Sequence, residues 1–267
     1  MASPAKPTIV ILQGSFQLPE VYHKFARLVE SHGFPVVQPS YPSLTGQDEP
    51  DFTKKTLSDD AGAAEAAIKK LVDGEGKTVL VAMHSYGGLV GAEAVPEDLT
   101  LKNRKDRGLP GGVAYLFYFA AFVMPMGESV AMTVGDSPDQ EHRDGRFTMR
   151  DPLSTMYTDL PEDEAAYWAE RVVFQSNAVK ETPMKRCAYT YVPSTYVVCT
   201  EDKALPPHVQ EMFARLAGAV VEKIDSGHSP MLSKPDEVVA LLEEAAVLAI
   251  RQGSKQFNSI NHFPHID

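Results

Sequence analysis

Cysteine, basic residues and long apolar runs are all scarce in this sequence. Only two of the 267 residues are cysteines, too few for a disulfide framework or a metal cluster made by cysteine alone. No apolar run approaches the ~20 residues that a membrane-spanning helix needs. Lys and Arg number 25 against 36 Asp and Glu, and the resulting net charge of −11 disfavours binding to nucleic acid or to anionic membrane surfaces.

The N-terminal segment is not typical of a targeting signal. It leads into an apolar run of only five residues, 8–12, and polar residues follow at once. Cys199 lies in the apolar run 196–199, where a buried free thiol is the simplest interpretation. We therefore expect an intracellular, cytoplasmic protein in a reduced environment.

Short β-branched runs alternate with longer amphipathic stretches along most of the chain. Strands that are apolar on both faces and separated by helices are typical of a parallel sheet covered on both sides. The sequence therefore predicts an α/β fold with a mostly parallel six-stranded sheet and flanking helices. The predicted strands are 8–12, 35–38, 78–83, 113–122, 195–200 and 220–224, and the main predicted helices are 20–32, 57–72, 86–94, 207–216 and 235–251.

The interval 124–192 interrupts this alternation. It contains polar loop sequence at 135–146 and an acidic helix start at 161–168. We interpret it as a helical cap insertion over the edge of the sheet where ligands of open α/β sheets bind. The predicted core then comprises 1–123 and 193–252, and a C-terminal tail without periodicity covers 253–267.

The strongest local motif is a serine between a strand and a helix. The sequence His84-Ser85-Tyr86-Gly87-Gly88 directly follows the predicted strand 78–83 and precedes a predicted helix. A nucleophile elbow has this strand–turn–helix context and usually reads G-x-S-x-G, whereas Met83 occupies the first glycine position here. The context predicts that Ser85 is a nucleophile.

A serine nucleophile needs a base, which a third group orients. Two later predicted strands end in polar loops that hold His228 and the pair Glu201-Asp202. We expect His228 to take the serine proton and Asp202 to orient the imidazole. Glu201 and Asp225 stay open as alternative acids, although each is more readily interpreted as a loop carboxylate.

Backbone amides are expected to stabilise the oxyanion that forms when the serine attacks. One would come from Tyr86, the residue after the nucleophile. The other would come from the loop after the first strand, 13–16, where Ser15 is best placed.

With these residues in place, the chain resembles the α/β-hydrolase superfamily, in particular the compact branch of methylesterases and hydroxynitrile lyases with its fungal homologues. The likeness rests on 9–16, where Gln13 replaces the usual histidine of the oxyanion turn, and on the segments 84–88, 198–203 and 227–228. The resemblance implies a catalytic triad of Ser85, Asp202 and His228.

Within this branch, the lyases carry a lysine after the catalytic histidine and a threonine in the oxyanion turn. Here those positions hold Ser229 and Gly14. Both differences favour ester hydrolysis over cyanide elimination.

We therefore expect a serine hydrolase that cleaves a carboxylic ester or lactone of a small, partly apolar molecule through an acyl-enzyme, with no cofactor or metal. A C–C bond hydrolase or lyase with the same triad, or a small-molecule receptor with slow hydrolysis, stays open, as does a homodimer. The expected substrate-binding residues are Phe16, Phe122, Met124, Tyr157, Trp168 and Met231.

Overall fold

A computed structural model describes residues 5–254 of the chain. One six-stranded sheet forms its centre. Its strands are β1 (Thr8–Leu12), β2 (Val36–Val37), β3 (Thr78–His84), β4 (Gly112–Phe119), β8 (Ser194–Cys199) and β9 (Val220–Ile224). They lie in the order β2-β1-β3-β4-β8-β9, and all neighbouring strands are parallel. The predicted α/β class and six-stranded sheet are confirmed.

Eleven α-helical segments accompany the strands within the described residues. They are α1 (His23–Ser31), α2 (Leu57–Lys69), α3 (Gly87–Ala94), α4 (Leu101–Asp106), α5 (Val130–Thr133), α6 (Pro152–Thr155), α7 (Glu162–Ala169), α8 (Ala178–Glu181), α9 (Pro207–Ala217), α10 (Pro230–Ser233) and α11 (Pro235–Ser254). In that same part of the chain, no helix combines the length and the apolar character needed to cross a membrane.

The central strands are buried on both faces. Every residue of β1 and of β4 is buried. Successive side chains of a strand point to opposite faces, so complete burial means that helices or loops cover both sides. This explains why these strands are continuous apolar runs rather than alternating ones. The two cysteines, Cys187 and Cys199, are buried and unbridged.

The interval 124–192 is not purely helical. Besides α5 to α8 it holds an antiparallel sheet of three strands, β5 (Gln140–Arg143), β6 (Arg146–Met149) and β7 (Gln175–Ser176). The description of this insertion as a helical cap is therefore incomplete, and 135–146 is not simply a polar loop. The proposed division of the chain into core and cap stays a prediction, and all but two residues of the predicted tail, 253–267, lie outside the described residues.

A local signal for the hairpin was present in the sequence. Asp144 and Gly145 join β5 to β6, and both have positive φ angles, 51° and 73°. Two-residue hairpin turns with two positive φ angles favour Asp-Gly because glycine carries no side chain and aspartate tolerates this conformation. The Asp144-Gly145 pair could therefore have predicted the hairpin of β5 and β6.

Candidate active site

Ser85 lies in a strained turn at the end of β3. Its φ angle is 51°, in the left-handed region that non-glycine residues rarely adopt. The Ser85 carbonyl accepts hydrogen bonds from the amides of Gly88 and Phe122, both at 3.0 Å, which hold the turn in place. This is the predicted elbow, with the serine side chain presented at the edge of the sheet.

The helix after the serine packs unusually close to the sheet. A Cβ atom at Gly87 would lie 2.3 Å from the carbonyl oxygen of Leu12, closer than real Cβ atoms come. Met83, which replaces the first glycine of the motif, fits because α3 also lacks a side chain at Gly91, where a Cβ would lie 2.3 Å from the Met83 sulfur. The departure from the usual motif is therefore accommodated by a second glycine one helical turn further on.

Ser85, His228 and Asp202 form a continuous hydrogen-bonded line. The distance from Ser85 Oγ to His228 Nε2 is 3.1 Å, and the distance from His228 Nδ1 to Asp202 Oδ2 is 2.8 Å. A carboxylate only accepts hydrogen bonds, so Nδ1 carries the proton and Nε2 is free to accept the serine proton. All three residues are buried.

The Asp202 carboxylate is fixed from several sides. Its Oδ1 accepts from the amides of Ala204 and Leu205, both at 2.8 Å, and its Oδ2 also accepts from Gln210 Nε2 at 2.9 Å. These hydrogen bonds hold the Asp202 carboxyl group in place, with Oδ2 facing His228 Nδ1.

The two alternative acids are placed differently. Glu201 and Asp225 are both exposed. Within the described residues, Asp202 is the carboxylate that contacts the His228 ring. The geometry therefore favours Asp202 as the orienting acid.

His84 holds the His228 loop from beneath. His84 Nε2 lies 2.7 Å from the His228 carbonyl oxygen, and His84 Nδ1 lies 2.6 Å from the Tyr22 hydroxyl. The carbonyl can only accept, so Nε2 must donate to it. Burial, together with the nearby His228, keeps the pKa of His84 well below its usual range, so the ring is neutral and Nδ1 accepts from Tyr22.

Tyr22 connects this histidine to the oxyanion turn. Its hydroxyl accepts from the Gly14 amide at 2.8 Å and lies 2.7 Å from the Gln17 side chain. Since the Tyr22 proton goes to His84, Gln17 must present its NH₂ group to Tyr22, and its oxygen then accepts from Tyr157 and Ser229. One buried network therefore joins the oxyanion turn, the serine turn, the histidine loop and the cap.

The two predicted oxyanion donors flank the serine. Ser15 and Tyr86 both line the pocket that holds Ser85 and His228. Within the described part of the chain, neither backbone amide donates to a protein acceptor. Both N–H groups are therefore available to a ligand.

The Tyr86 side chain reaches a buried carboxylate that the sequence analysis missed. Its hydroxyl donates to Asp60 Oδ2 at 2.8 Å, and Asp60 also accepts from the amide and the hydroxyl of Ser43, at 2.9 and 2.5 Å. Burial raises the pKa of Asp60 to about 6, against the hydrogen bonds from Ser43 and Tyr86, which lower it. Gln175 of β7 donates to Ser43 at 2.8 Å, so this cluster also reaches the cap.

The site opens into an apolar pocket. Its empty volume is about 620 Å³, which includes the part open to solvent. Ser15, Ser85, Tyr86 and His228 form its polar base. The remaining lining residues are Phe16, Leu89, Phe122, Val130, Gln140, Phe147, Met149, Met156, Val179, Lys180 and Ala204.

Two of the six predicted substrate-binding residues, Phe16 and Phe122, line this pocket. The other four do not. Tyr157 belongs to the buried network through Gln17, and Trp168 packs edge-on against Tyr167 in α7. Met124 and Met231 are buried in the hydrophobic core.

Several site residues had no recognisable signal in the sequence. Gln210, Asp60 and Lys180 lie within or near helices and look like ordinary polar helix residues there. Only tertiary packing brings them to the site. Among residues 5–254, no group of three or more His, Cys, Asp or Glu side chains is arranged to hold a metal ion.

Comparison with known proteins places this geometry in context. A model described as "Alpha/beta hydrolase family" matches residues 9–241. The alpha/beta hydrolase nvfD of Aspergillus novofumigatus is 29% identical over 257 residues, 92% of this chain and 98% of that protein. Methylesterase 7 of Arabidopsis thaliana is 28% identical over 214 residues, 72% of this chain and 78% of that protein.

Solved structures show the same fold. The crystal structure of polyneuridine aldehyde esterase superimposes with a TM-score of 0.68 at 18% identity, covering 90% of this chain and 98% of that one. An identity this low shows the fold alone. The shared fold, the family match and the methylesterase relative together confirm the predicted resemblance to the α/β-hydrolase superfamily.

Proposed function

The chain belongs to the alpha/beta hydrolase family, and within it we propose a serine hydrolase that cleaves a carboxylic ester or lactone of a small, partly apolar molecule. The observation that carries this proposal is the line from Ser85 through His228 to Asp202 at the base of an apolar pocket. A methylesterase among the relatives supports ester chemistry. We also propose that the enzyme is cytoplasmic and that it needs no cofactor.

The first step forms an acyl-enzyme. His228 Nε2 accepts the Ser85 proton as Oγ attacks the substrate carbonyl, and Asp202 stabilises the imidazolium that results. The amides of Ser15 and Tyr86 donate to the carbonyl oxygen as it becomes negative. When the tetrahedral intermediate collapses, the imidazolium returns its proton to the departing alcohol oxygen.

The second step uses water. His228 accepts a proton from a water molecule, whose oxygen attacks the acyl carbon. Collapse of this second intermediate breaks the bond to Ser85 Oγ, which regains its proton from His228. The products are the carboxylic acid and the alcohol, and a lactone gives both groups on one molecule.

The charges in the pocket favour hydrolysis over cyanide elimination. The position after His228 holds Ser229, a fully buried neutral residue. Lys180 is the cation among the described lining residues, and it is paired with Asp136. The described lining residues therefore supply no unpaired positive charge that could stabilise a departing cyanide ion.

The test is the hydrolysis of p-nitrophenyl acetate and butyrate by wild type and Ser85→Ala. We expect the substitution to lower kcat by about 10³-fold or more, because it removes the nucleophile. The matched control is Ser31→Ala, an exposed serine at the end of α1, which should retain wild-type turnover. Covalent labelling by a fluorophosphonate probe should be lost in Ser85→Ala alone.

Two outcomes would contradict the proposal. One is turnover by Ser85→Ala equal to wild type, which would exclude Ser85 as the nucleophile. The other is a wild-type protein that neither turns over the esters nor reacts with the fluorophosphonate, a result that favours a receptor.

A further inference from the structure

The cap side of the pocket carries a second polar group, far in sequence from the triad. It consists of Lys180 on α8 and Gln140 on β5, and both residues line the same pocket as Ser85. The Lys180 side chain is only 4% exposed. Its Nζ atom donates to Gln140 Oε1 at 2.8 Å and to Asp136 Oδ1.

The charge of this lysine is compensated from outside the pocket. Asp136 is 74% exposed, and the hydrogen bond from Lys180 lowers the pKa of its carboxyl group. A buried ammonium needs such a partner because losing its hydration is costly. The pair is therefore neutral overall, with the cation in the pocket wall and the anion at the surface.

The same group has hydrogen-bond donors to spare. A lysine ammonium has three N–H groups, and two of those of Lys180 are accounted for by Asp136 and Gln140. The Gln140 oxygen is occupied by Lys180, which leaves its NH₂ group. Within the described residues, the NH₂ of Gln140 has no protein acceptor, and Lys180 Nζ has no third oxygen acceptor, although it also lies 5.2 Å from the centroid of the Phe147 ring. What this group can offer a ligand is thus N–H donors only.

Apolar residues make up most of the rest of the pocket lining. They include Leu89, Phe147, Met149 and Met156. A ligand that satisfies the whole pocket has a reacting carbonyl at the base, an apolar body, and an acceptor oxygen on the cap side.

We propose that Lys180 and Gln140 bind a second, neutral carbonyl oxygen of the substrate, remote from the bond that is cleaved. The inference rests on the proposed function and specifies its substrate class as oxo-esters or oxo-lactones, rather than plain alkyl esters. A neutral oxygen is preferred to a carboxylate because Asp136 already compensates the lysine charge.

The probes are matched aryl esters. p-Nitrophenyl alkanoates of five, six and seven carbons are compared with their 4-oxo, 5-oxo and 6-oxo counterparts, respectively. A second pair, 4-ethylphenyl and 4-acetylphenyl acetate, places the ketone on the alcohol side. For each pair we measure the ratio of kcat/KM in wild type to kcat/KM in a variant, so that the intrinsic reactivity of each ester cancels.

We expect Lys180→Met to lower kcat/KM about tenfold more for the best oxo-ester than for its alkyl partner, as one lost hydrogen bond to a charged donor implies. Lys102→Met, at an exposed position of α4, should change neither value. If Lys180 merely fastens α8 to its neighbours, Lys180→Met will lower both values equally, and the proposal is overturned.

Asp136→Asn separates recognition from packing. It removes the ion pair but leaves the lysine donor in place, so the preference for oxo-esters should persist. Because the lysine charge is then uncompensated, p-nitrophenyl hydrogen glutarate should become a better substrate than it is for wild type. If Asp136→Asn lost as much of the oxo preference as Lys180→Met does, the role of Lys180 would be structural. If wild type preferred the glutarate, the proposal that the bound oxygen is neutral would be overturned.

Binding to Ser85→Ala keeps this inference separate from the proposed chemistry. Calorimetry compares methyl 5-oxohexanoate with methyl hexanoate on Ser85→Ala, with and without Lys180→Met. A preference for the oxo compound that requires Lys180 would support the inference even if no ester were hydrolysed. Equal affinities, together with equal kcat/KM effects in the kinetic series, would overturn it while leaving the serine hydrolase proposal intact.

Discussion

The two ends of the pocket are built in different ways. At its base, Ser85 and His228 follow strands β3 and β9 of one sheet. Main-chain hydrogen bonds hold the Ser85 turn, and the buried His84 ring holds the His228 loop. On the cap side, Lys180 and Gln140 come from elements of only four residues and hold one another through side chains. Reacting groups need a rigid support, whereas groups that select a substrate can vary without disturbing it. The comparison predicts that changes at the base affect every substrate and changes in the cap affect some.

The largest effect should come from Asp202→Asn. An amide at this position favours the wrong tautomer of His228, with the proton on Nε2, so the ring no longer accepts from Ser85. We expect kcat to fall about 10³- to 10⁴-fold with a small change in KM, and by the same factor for oxo and plain alkyl esters. Steady-state kinetics on both substrates measure this.

The matched control is Asp225→Asn, an exposed carboxylate three residues before His228. It should retain wild-type kcat. A large loss in Asp225→Asn and a small one in Asp202→Asn would reverse the assignment. If the loss of kcat in Asp202→Asn differed between oxo and plain alkyl esters, a change at the base would not affect every substrate equally. The distinction between base and cap would then be wrong.

The same distinction explains how much the sequence could predict. Strand ends, the serine turn and the Gly227-His228 loop are local patterns, and the parallel sheet brings them to one edge by necessity. Lys180 carries no such pattern, because its place in the pocket depends on how α8 packs against α2 and α5, two helices that are distant from it in sequence. Asp60 is likewise an ordinary helix residue until Ser43 and Tyr86 surround it. The Asp144-Gly145 turn could be predicted from the sequence. A local turn motif indicates a hairpin, however, and does not show where that hairpin packs in the molecule.

The close packing of the base makes a second prediction. Gly87→Ala places a methyl group 2.3 Å from the Leu12 carbonyl oxygen, which the backbone cannot avoid without moving α3 away from the sheet. We expect the free energy of unfolding to fall by about 3 kcal/mol. Chemical denaturation measures it.

Gly62→Ala is the matched control. Gly62 lies in α2, and a Cβ there would meet no atom within 4 Å. Alanine should therefore stabilise that helix by about 0.5–1 kcal/mol. Changes of opposite sign in the free energy of unfolding of the two variants would show that the base tolerates no added volume. If Gly87→Ala were as stable as wild type, the base would not be the rigid support that we describe.

Asp60 links the base of the pocket to the cap through hydrogen bonds, and its effect depends on pH. It accepts from Tyr86 at the base, and through Ser43 it is joined to Gln175 of the cap. Its pKa is raised to about 6 from an ordinary 3.8, so the folded state binds the proton more tightly than the unfolded state. The stability that Asp60 contributes is therefore greatest below pH 4 and is lost as the pH rises through about 6.

Asp60→Asn should remove this dependence. Relative to wild type, the free energy of unfolding of the variant should increase by up to about 3 kcal/mol between pH 4 and pH 7, because a neutral amide pays no cost of burying a charge. Denaturation curves across this range measure the difference, in which all other carboxylates cancel. Turnover of a plain alkyl ester should change little.

The neighbouring residue provides a control of opposite sign. Hydrogen bonds from Thr56 lower the pKa of Asp59, so its contribution to stability is present above pH 4 and lost as the pH falls. Asp59→Asn should therefore lose stability relative to wild type as the pH rises through 4, whereas Asp60→Asn gains it as the pH rises towards 6. If both variants followed the same trend, the buried carboxylate of Asp60 would not have the raised pKa, and burial at this position would not cost the charged form any stability.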